Sequence, residues 1–143
     1  MKIDWTHLSV HHSATKDGIE LDFDNFRRYH MQDLEWRDVG YHYGVEKVGS
    51  GYEVLVGRPL TMPGAHSPGW NDRAIGLVLA GNYNLAPPPV EMLQVAIYRI
   101  IKPSMVYHDI TMDRIQAHRD QQRPGYTDCP GRMFPIERLR NLI

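Results

Sequence analysis

Residues 74–81, AIGLVLAG, form a continuous apolar run of the length of a strand. A strand that is apolar at every position has both of its faces buried, which is typical of the centre of a sheet covered on both sides. A chain of 143 residues is long enough to bury one sizeable core around such a strand. We therefore expect residues 1–143 to form a single domain built on a central sheet.

The segments on either side of this run supply further strands and helices. Gly49-Ser50 separates two alternating segments, which predicts a β-hairpin, and Pro103 is expected to kink or end the helix that precedes it. The predicted strands cover 6–12, 41–48, 51–58, 74–81 and 114–118, and the predicted helices cover 24–36, 90–101 and 136–143. This order, β-α-β-β-β-α-β-α, predicts an α/β fold with a central mixed sheet flanked by helices.

Composition excludes several classes of partner. Sixteen basic and seventeen acidic residues give a net charge of −1 without a charged block, so we expect no nucleic acid partner. No stretch reaches transmembrane length, so we expect no membrane insertion. The first residues, MKIDWTHLSVHH, lack the apolar run of a signal peptide, so we expect synthesis in the cytoplasm.

The single cysteine, Cys129, lies in the loop TDCPG at residues 127–131 and has no disulfide partner within the chain. Alternation along the first strand places His11 on the more polar face, with Leu8 and Val10 on the apolar face. The same alternation places His118 at the polar side of the last strand. His11 and His118 therefore each end a strand, and the loop after His118 is able to fold back and bring Cys129 to them.

Two interpretations of these three residues follow from the spacing alone. Two imidazoles and one thiolate, with a fourth position left for water, match the ligand set of a catalytic zinc site. Alternatively, the histidines are hydrogen-bonded residues of a cleft and Cys129 is a buried packing residue. No compact zinc motif such as HExxH or CxxC is present to choose between them.

Five blocks of sequence resemble the zinc-dependent N-acetylmuramoyl-L-alanine amidases, the type 2 amidase and peptidoglycan recognition protein family. The resemblance runs from about residue 8 to residue 143 and is closest in character to the phage amidase endolysins. It implies a fold like that of this family, a Zn²⁺ cofactor and a peptidoglycan substrate. The blocks are VHHSAT (10–15), DVGYHYGV (38–45), GAHSPGWNDRAIGLVLAGNYN (64–84), AHRD (117–120) and TDCPG (127–131).

The resemblance implies a role for each matched residue. His11, His118 and Cys129 match the three zinc ligands of the family, in agreement with the argument from alternation. Tyr41 matches the tyrosine whose hydroxyl lies beside the metal-bound water and the scissile carbonyl. Thr127 matches a catalytic position that is threonine in active recognition-protein amidases and lysine in many phage enzymes.

Four further residues are expected to contact the substrate. His66 and Asn71 lie in a Gly/Pro-rich loop that touches peptide or sugar in family members. Tyr43 shares the face of Tyr41, and either lines the groove or packs in the sheet. Arg58 follows the hairpin, where recognition proteins sense the third amino acid of the stem peptide. The residues after it, Pro59-Leu60, differ from the family pattern, so preference for diaminopimelate or lysine does not carry over.

The resemblance implies a monomeric zinc amidase that cuts stem peptides from peptidoglycan, in the manner of an endolysin that reaches the wall through a phage holin or by lysis. One alternative is a non-catalytic peptidoglycan-binding receptor, but members of that kind typically lack the zinc cysteine. Another alternative is a cytoplasmic amidase that recycles free muropeptides. Those relatives tend to carry glutamates in the central strand, where this chain has IGLVLAG.

Overall fold

Five strands form one sheet in the computed structural model, which describes residues 2–14 and 39–143. The strands lie in the order β3-β2-β4-β1-β5 when they are numbered along the chain. The helix predicted over 24–36 falls outside the described residues. The strands are β1 (His7–His12), β2 (Tyr43–Val48), β3 (Gly51–Val56), β4 (Ala74–Leu79) and β5 (Ile115–Ala117).

The central position of β4 confirms what its apolar sequence predicts. All six of its residues are buried, and it pairs in parallel with β1 on one side and with β2 on the other. Strand β5 extends the sheet in parallel beyond β1, whereas β2 and β3 form the predicted antiparallel hairpin. The sheet is therefore mixed, and the predicted α/β fold is confirmed.

Three α-helices accompany the sheet in the described part of the chain: α1 (Val90–Ala96), α2 (Lys102–His108) and α3 (Ile136–Leu142). A π-helical turn, Ile97–Ile101, joins α1 to α2. The helix predicted to stop near residue 101 thus continues to His108. Pro103 lies in the first turn of α2, directly after the π-helical turn, where the regular α-helical hydrogen-bond pattern is already interrupted. None of the described helices has the length and apolar character needed to cross a bilayer.

The two faces of the sheet have different chemistry. Leu8 and Val10 of β1 and Leu77 of β4 belong to the main apolar cluster, together with residues of all three helices. Burying a side chain of this size stabilises a fold by about 1.5–3 kcal/mol. Ser9 and His11 point to the opposite face, where the Ser9 hydroxyl is 3.1 Å from His11 Nε2. Alternation in β1 therefore separates the core from a polar site, as predicted.

Candidate metal centre

Three possible metal ligands, His11, His118 and Cys129, converge on the polar face of the sheet. Their ligand atoms all lie within 4.8 Å of one another. His11 Nδ1 is 3.6 Å from Cys129 Sγ, and the ring centroids of the two histidines are 4.5 Å apart. His11 and Cys129 are 118 positions apart in the chain. The fold rather than local sequence therefore assembles the cluster.

The two histidines meet because their strands are parallel neighbours. Strands β1 and β5 pair in parallel with Val10 opposite Ala117. The residue after each of these two is a histidine: His11 follows Val10 and His118 follows Ala117. The carboxyl ends of parallel neighbours lie at the same edge of a sheet, so His11 and His118 are brought side by side. His118 itself begins a short 3₁₀-helix, His118–Gln121, directly after β5.

Arg119 holds the loop that carries Cys129. Its backbone N–H donates to the carbonyl of Cys129 at 2.8 Å. Its guanidinium donates through Nη1 to the carbonyl of Gly131 at 2.6 Å and through Nη2 to the carbonyl of Phe134 at 3.1 Å. Since Arg119 follows His118 in the chain, these bonds tie the loop of the thiol to the segment of the second imidazole.

Burial keeps the histidines of this site neutral. It lowers the pKa of His118 to about 4 and that of His66 to about 3, and it lowers the pKa of His11 well below 6.5. Neutral imidazole is the form that binds metal ions. Burial also raises the pKa of the Cys129 thiol to about 12. A bound cation would oppose this effect, because a metal ion favours the thiolate.

The donor set fits a zinc ion. Among the described residues, His118 Nε2 is a buried side-chain nitrogen without a hydrogen-bond partner, and such an atom is costly to bury unless something binds it. Two nitrogens and one sulfur also suit Zn²⁺ better than the hard cations, which prefer oxygen ligands. His11, His118 and Cys129 are thus able to hold a zinc ion with a further position left for water or substrate.

An open cleft of about 280 Å³ lies against the cluster. The Tyr41 ring centroid is 5.1 Å from that of His11, so this tyrosine stands between the cleft and a proposed ligand. None of the described residues that line the cleft carries a carboxylate. The lining residues are Tyr41, Ala65, His66, Ser67, Pro68, Asn71, His118 and Tyr126.

Asn71 and His66 lie at the cleft, as their loop predicts, but both have internal contacts. Asn71 Oδ1 accepts hydrogen bonds from the backbone N–H groups of His66 and Ser67, at 2.7 and 2.8 Å. The His66 side chain is only 8% exposed. Its Nδ1 is 2.9 Å from His11 Nε2, and its Nε2 is 3.0 Å from the carbonyl of Ala74. Both ring nitrogens of His66 are therefore engaged by protein atoms.

Tyr43 does not share the face of Tyr41, and this prediction is wrong. Strand β2 begins at Tyr43, so regular alternation does not extend back to Tyr41. Tyr43 pairs with Leu77 and packs against the main apolar cluster, whereas Tyr41 packs beside Val78. Tyr43 lines a separate cavity of about 600 Å³ on the side of Trp5.

Arg58 is also placed away from the cleft. It is 8% exposed, and its Nη1 donates to the carbonyl of Pro63 at 2.9 Å. Its backbone N–H donates to the carbonyl of Tyr41 at 2.9 Å. In this conformation Arg58 supports the backbone of the loop behind the cleft, and the structure does not bring its guanidinium to the cleft surface.

Thr127 contacts the cysteine loop directly. Its Oγ1 accepts a hydrogen bond from the backbone N–H of Cys129 at 3.1 Å, and it lines a separate depression with Arg119 and Asp120. Tyr126, which is not among the residues predicted from sequence, is 46% exposed and lies at the cleft beside His118. Its position in the Gly/Pro-bearing loop that precedes Cys129 is the signal that could have indicated it.

Comparison with known proteins agrees with this geometry. Residues 2–132 match the profile of the family Amidase_2, described as N-acetylmuramoyl-L-alanine amidase. Peptidoglycan-recognition protein SC2 of Drosophila melanogaster is 38% identical over 132 residues, covering 88% of this chain and 68% of that protein. The N-acetylmuramoyl-L-alanine amidase LysC from Clostridium intestinale has a TM-score of 0.83 at 26% identity, covering 99% of this chain and 86% of that chain. Drosophila PGRP-LB has a TM-score of 0.75 at 27% identity, covering 94% of this chain and 79% of that chain. This chain belongs to the N-acetylmuramoyl-L-alanine amidase family.

Proposed function

We propose that this protein is a zinc-dependent hydrolase that cleaves the amide bond between N-acetylmuramic acid and L-alanine in bacterial peptidoglycan. The observation that carries the proposal is the convergence of His11, His118 and Cys129 within 4.8 Å beside an open cleft. A chain of this family that kept only a receptor function would not need three groups suited to zinc at the edge of its binding cleft.

The chemistry follows from the groups around the cleft. A zinc ion held by His11, His118 and Cys129 would lower the pKa of a water molecule and polarise the amide carbonyl. Tyr41 lies next to His11, and we assign its hydroxyl the role of a hydrogen-bond donor to the carbonyl oxygen as negative charge develops there. Water then adds to the lactyl carbonyl carbon and the C–N bond breaks. The lactyl group keeps the hydroxyl as a carboxyl group, and a proton from water goes to the nitrogen of the departing stem peptide, whose new amino terminus is L-alanine.

Thr127 has a supporting role in this proposal. Because its Oγ1 accepts from the N–H of Cys129, this bond fixes the backbone of the proposed ligand, while the O–H of Thr127 remains a donor at the neighbouring depression that it lines with Arg119 and Asp120. Asn71 shapes the opposite wall by holding the N–H groups of residues 66 and 67. Substrate therefore contacts a wall whose backbone is already ordered.

The place of action is part of the proposal. LysC of Clostridium intestinale, whose match covers 99% of this chain, is described as an N-acetylmuramoyl-L-alanine amidase, and LysCS from the same organism is described as an endolysin. We infer that this protein also acts on the cell wall, that it reaches the wall through a holin lesion or by lysis, and that it acts as a monomer.

The test measures bound zinc and the release of new amino termini from purified peptidoglycan. Wild-type protein is expected to hold close to one zinc ion per chain and to release peptides that begin with L-alanine. Cys129→Ser and His118→Ala are expected to lose most of both properties. His108→Ala is the matched control, because His108 lies in α2, outside the cleft, and should behave as wild type.

Each alternative function has its own outcome when binding and cleavage of free muropeptides are measured in the same preparations. Protein that holds zinc and binds muropeptide without releasing amino termini would be a receptor. Cleavage of free muropeptides but not of intact wall would identify a recycling amidase. Absence of bound zinc from wild-type protein prepared without chelators would overturn the assignment of His11, His118 and Cys129.

A further inference from the structure

The His66 ring occupies a closed position behind His11. It lies against Gly64 on one side and Gly76 of β4 on the other. A Cβ atom added at Gly76 would lie 2.5 Å from His66 Cδ2, and one added at Gly64 would also collide with the ring. Real Cβ atoms do not approach so closely, so the two glycines leave room that the imidazole fills.

Hydrogen bonds fix the proton of this ring on one nitrogen. The carbonyl of Ala74 is only an acceptor, so His66 Nε2, 3.0 Å away, must donate to it. A neutral imidazole carries one N–H, so His66 Nδ1 is an acceptor. The 2.9 Å contact between His66 Nδ1 and His11 Nε2 then requires His11 Nε2 to be the donor.

The donors and acceptors around His11 likewise place its proton on Nε2. With its proton on Nε2, neutral His11 has a lone pair on Nδ1, the atom that lies 3.6 Å from Cys129 Sγ. Ser9 is consistent with this arrangement. Its hydroxyl donates to Gln121 Oε1 at 2.7 Å, so its oxygen is able to accept from His11 Nε2 at 3.1 Å. Both hydrogen-bonding neighbours of Nε2 within residues 2–14 and 39–143 are thus acceptors, and the lone pair of Nδ1 faces the proposed metal position.

We propose that His66 is a positioning residue, which holds His11 in the tautomer whose Nδ1 binds the metal ion, and that Gly76 acts through His66 by leaving room for its ring. This inference rests on the proposed function, because it assigns the orientation of a zinc ligand. It differs from the role predicted for His66 from sequence, since the ring contacts His11 and the backbone rather than substrate. Partners of this kind, which bind the second nitrogen of a ligand imidazole, raise metal affinity by fixing the ring.

Two substitutions of His66 distinguish the effect of its hydrogen-bond acceptor on zinc binding from the effect of its side-chain volume. His66→Leu keeps an apolar volume but removes the acceptor for His11, and it is expected to weaken zinc binding about 10- to 100-fold. His66→Asn places an amide oxygen near the position of Nδ1 and is expected to bind zinc more tightly than the leucine variant. If the two variants bind zinc equally weakly, or if both bind it as wild type does, the proposal is overturned.

Gly76→Ala tests the proposed action of the glycine without changing a polar group. The added methyl group displaces the ring, so zinc affinity is expected to fall about 10-fold or more. Gly51→Ala in β3 is the matched control, because its Cβ would meet only one atom, 4.0 Å away. In a His66→Ala background, Gly76→Ala is expected to cause no further loss of zinc affinity. Additive losses would show that Gly76 acts independently of His66.

The tautomer itself is measured by nitrogen-15 NMR of the histidine rings in metal-free protein. His11 is expected to carry its proton on Nε2 in wild type and to populate both tautomers in His66→Leu. A wild-type His11 protonated on Nδ1 would overturn the inference. Because this readout needs no metal, it tests the inference separately from the proposed function, which fails instead if wild-type protein binds no zinc.

Discussion

Tyr41 is the side chain that most directly joins the metal centre to the cleft. Its ring packs against His11 on one side and lies 6.3 Å from His66 in a stacked arrangement. Both histidines are buried, so the tyrosine is held against a rigid surface while its own side chain remains partly exposed. A hydroxyl positioned in this way needs little reorganisation when charge develops on a substrate carbonyl.

The first prediction concerns this hydroxyl. Tyr41→Phe is expected to lower kcat by about 10²- to 10³-fold, because it removes one donor to the developing oxyanion and leaves the ring packing unchanged. Zinc content and thermal stability are expected to stay at wild-type values. Steady-state assays of amino-terminus release measure the first effect, and metal analysis with thermal melts measures the second.

Tyr98→Phe provides the control, since Tyr98 is 62% exposed and does not line the cleft. Wild-type kcat in Tyr41→Phe would show that the hydroxyl plays no part in the reaction. Loss of zinc in that variant would assign Tyr41 to the structure of the metal centre instead.

At the scale of elements, the loop 118–131 decides whether the third ligand reaches the first two. The structure ties this loop to the end of β5 through the backbone and guanidinium of Arg119. Hydrogen bonds from a charged donor contribute about 1.5–3 kcal/mol each when they are partly buried. The position of Cys129 therefore depends on an arginine that contacts neither metal nor substrate.

The second prediction tests this dependence. Arg119→Met keeps the aliphatic part of the side chain and removes the donors to Gly131 and Phe134. Stability is expected to fall by about 3 kcal/mol or more, because two such hydrogen bonds are lost. Zinc affinity is expected to fall about 10-fold, because the loop no longer holds Cys129 in place. Urea unfolding and competition with a chelator measure the two effects.

Arg138→Met is the matched control, because Arg138 is an exposed arginine of α3 outside this network. Unchanged zinc affinity in Arg119→Met, with reduced stability, would mean that the loop keeps its conformation without the guanidinium. In that case the contacts of Thr127 and of the surrounding backbone suffice.

Regular elements follow the pattern of their sequence. Alternation in β1 correctly separates Ser9 and His11 from the core, and the apolar run correctly identifies β4 as central. Residues just outside an element do not follow that pattern: Tyr41 precedes β2 and does not share the alternation of Tyr43.

The internal role of His66 also lies beyond the reach of local sequence. Its ring position depends on Gly76, which belongs to the following strand, and on His11, which comes from the first strand. A loop of Gly, Pro and polar residues predicts exposure, whereas the fold buries this one side chain. Tertiary contacts of this kind are visible only once the strands are placed.

For the whole molecule, the buried histidines link stability to pH. The pKa values of His42 and His118 are lowered to about 4 and that of His66 to about 3, chiefly by burial, from 6.5. In the unfolded chain these imidazoles take up protons near pH 6.5, whereas in the folded protein they stay neutral until the pH is much lower. A lowered folded-state pKa means that stability is present above about pH 6.5 and is lost as the pH falls toward about 4.

The third prediction is therefore that metal-free protein loses stability steeply between about pH 6.5 and about pH 4. Each proton taken up on unfolding adds a slope of about 1.4 kcal/mol per pH unit, and three such histidines act in the same direction. Urea unfolding of chelator-treated protein across this range measures the slope. A flat profile would show that the rings are protonated in the folded state as readily as in the unfolded chain.

His108→Ala is expected to leave the slope almost unchanged, because burial lowers the pKa of His108 less than that of the three interior rings. In zinc-loaded protein, stability is expected to fall still more steeply as the pH is lowered, because protons compete with the metal for the nitrogens of His11 and His118. A difference between the zinc-loaded and metal-free profiles that disappears in Cys129→Ser would trace this coupling to the proposed metal centre.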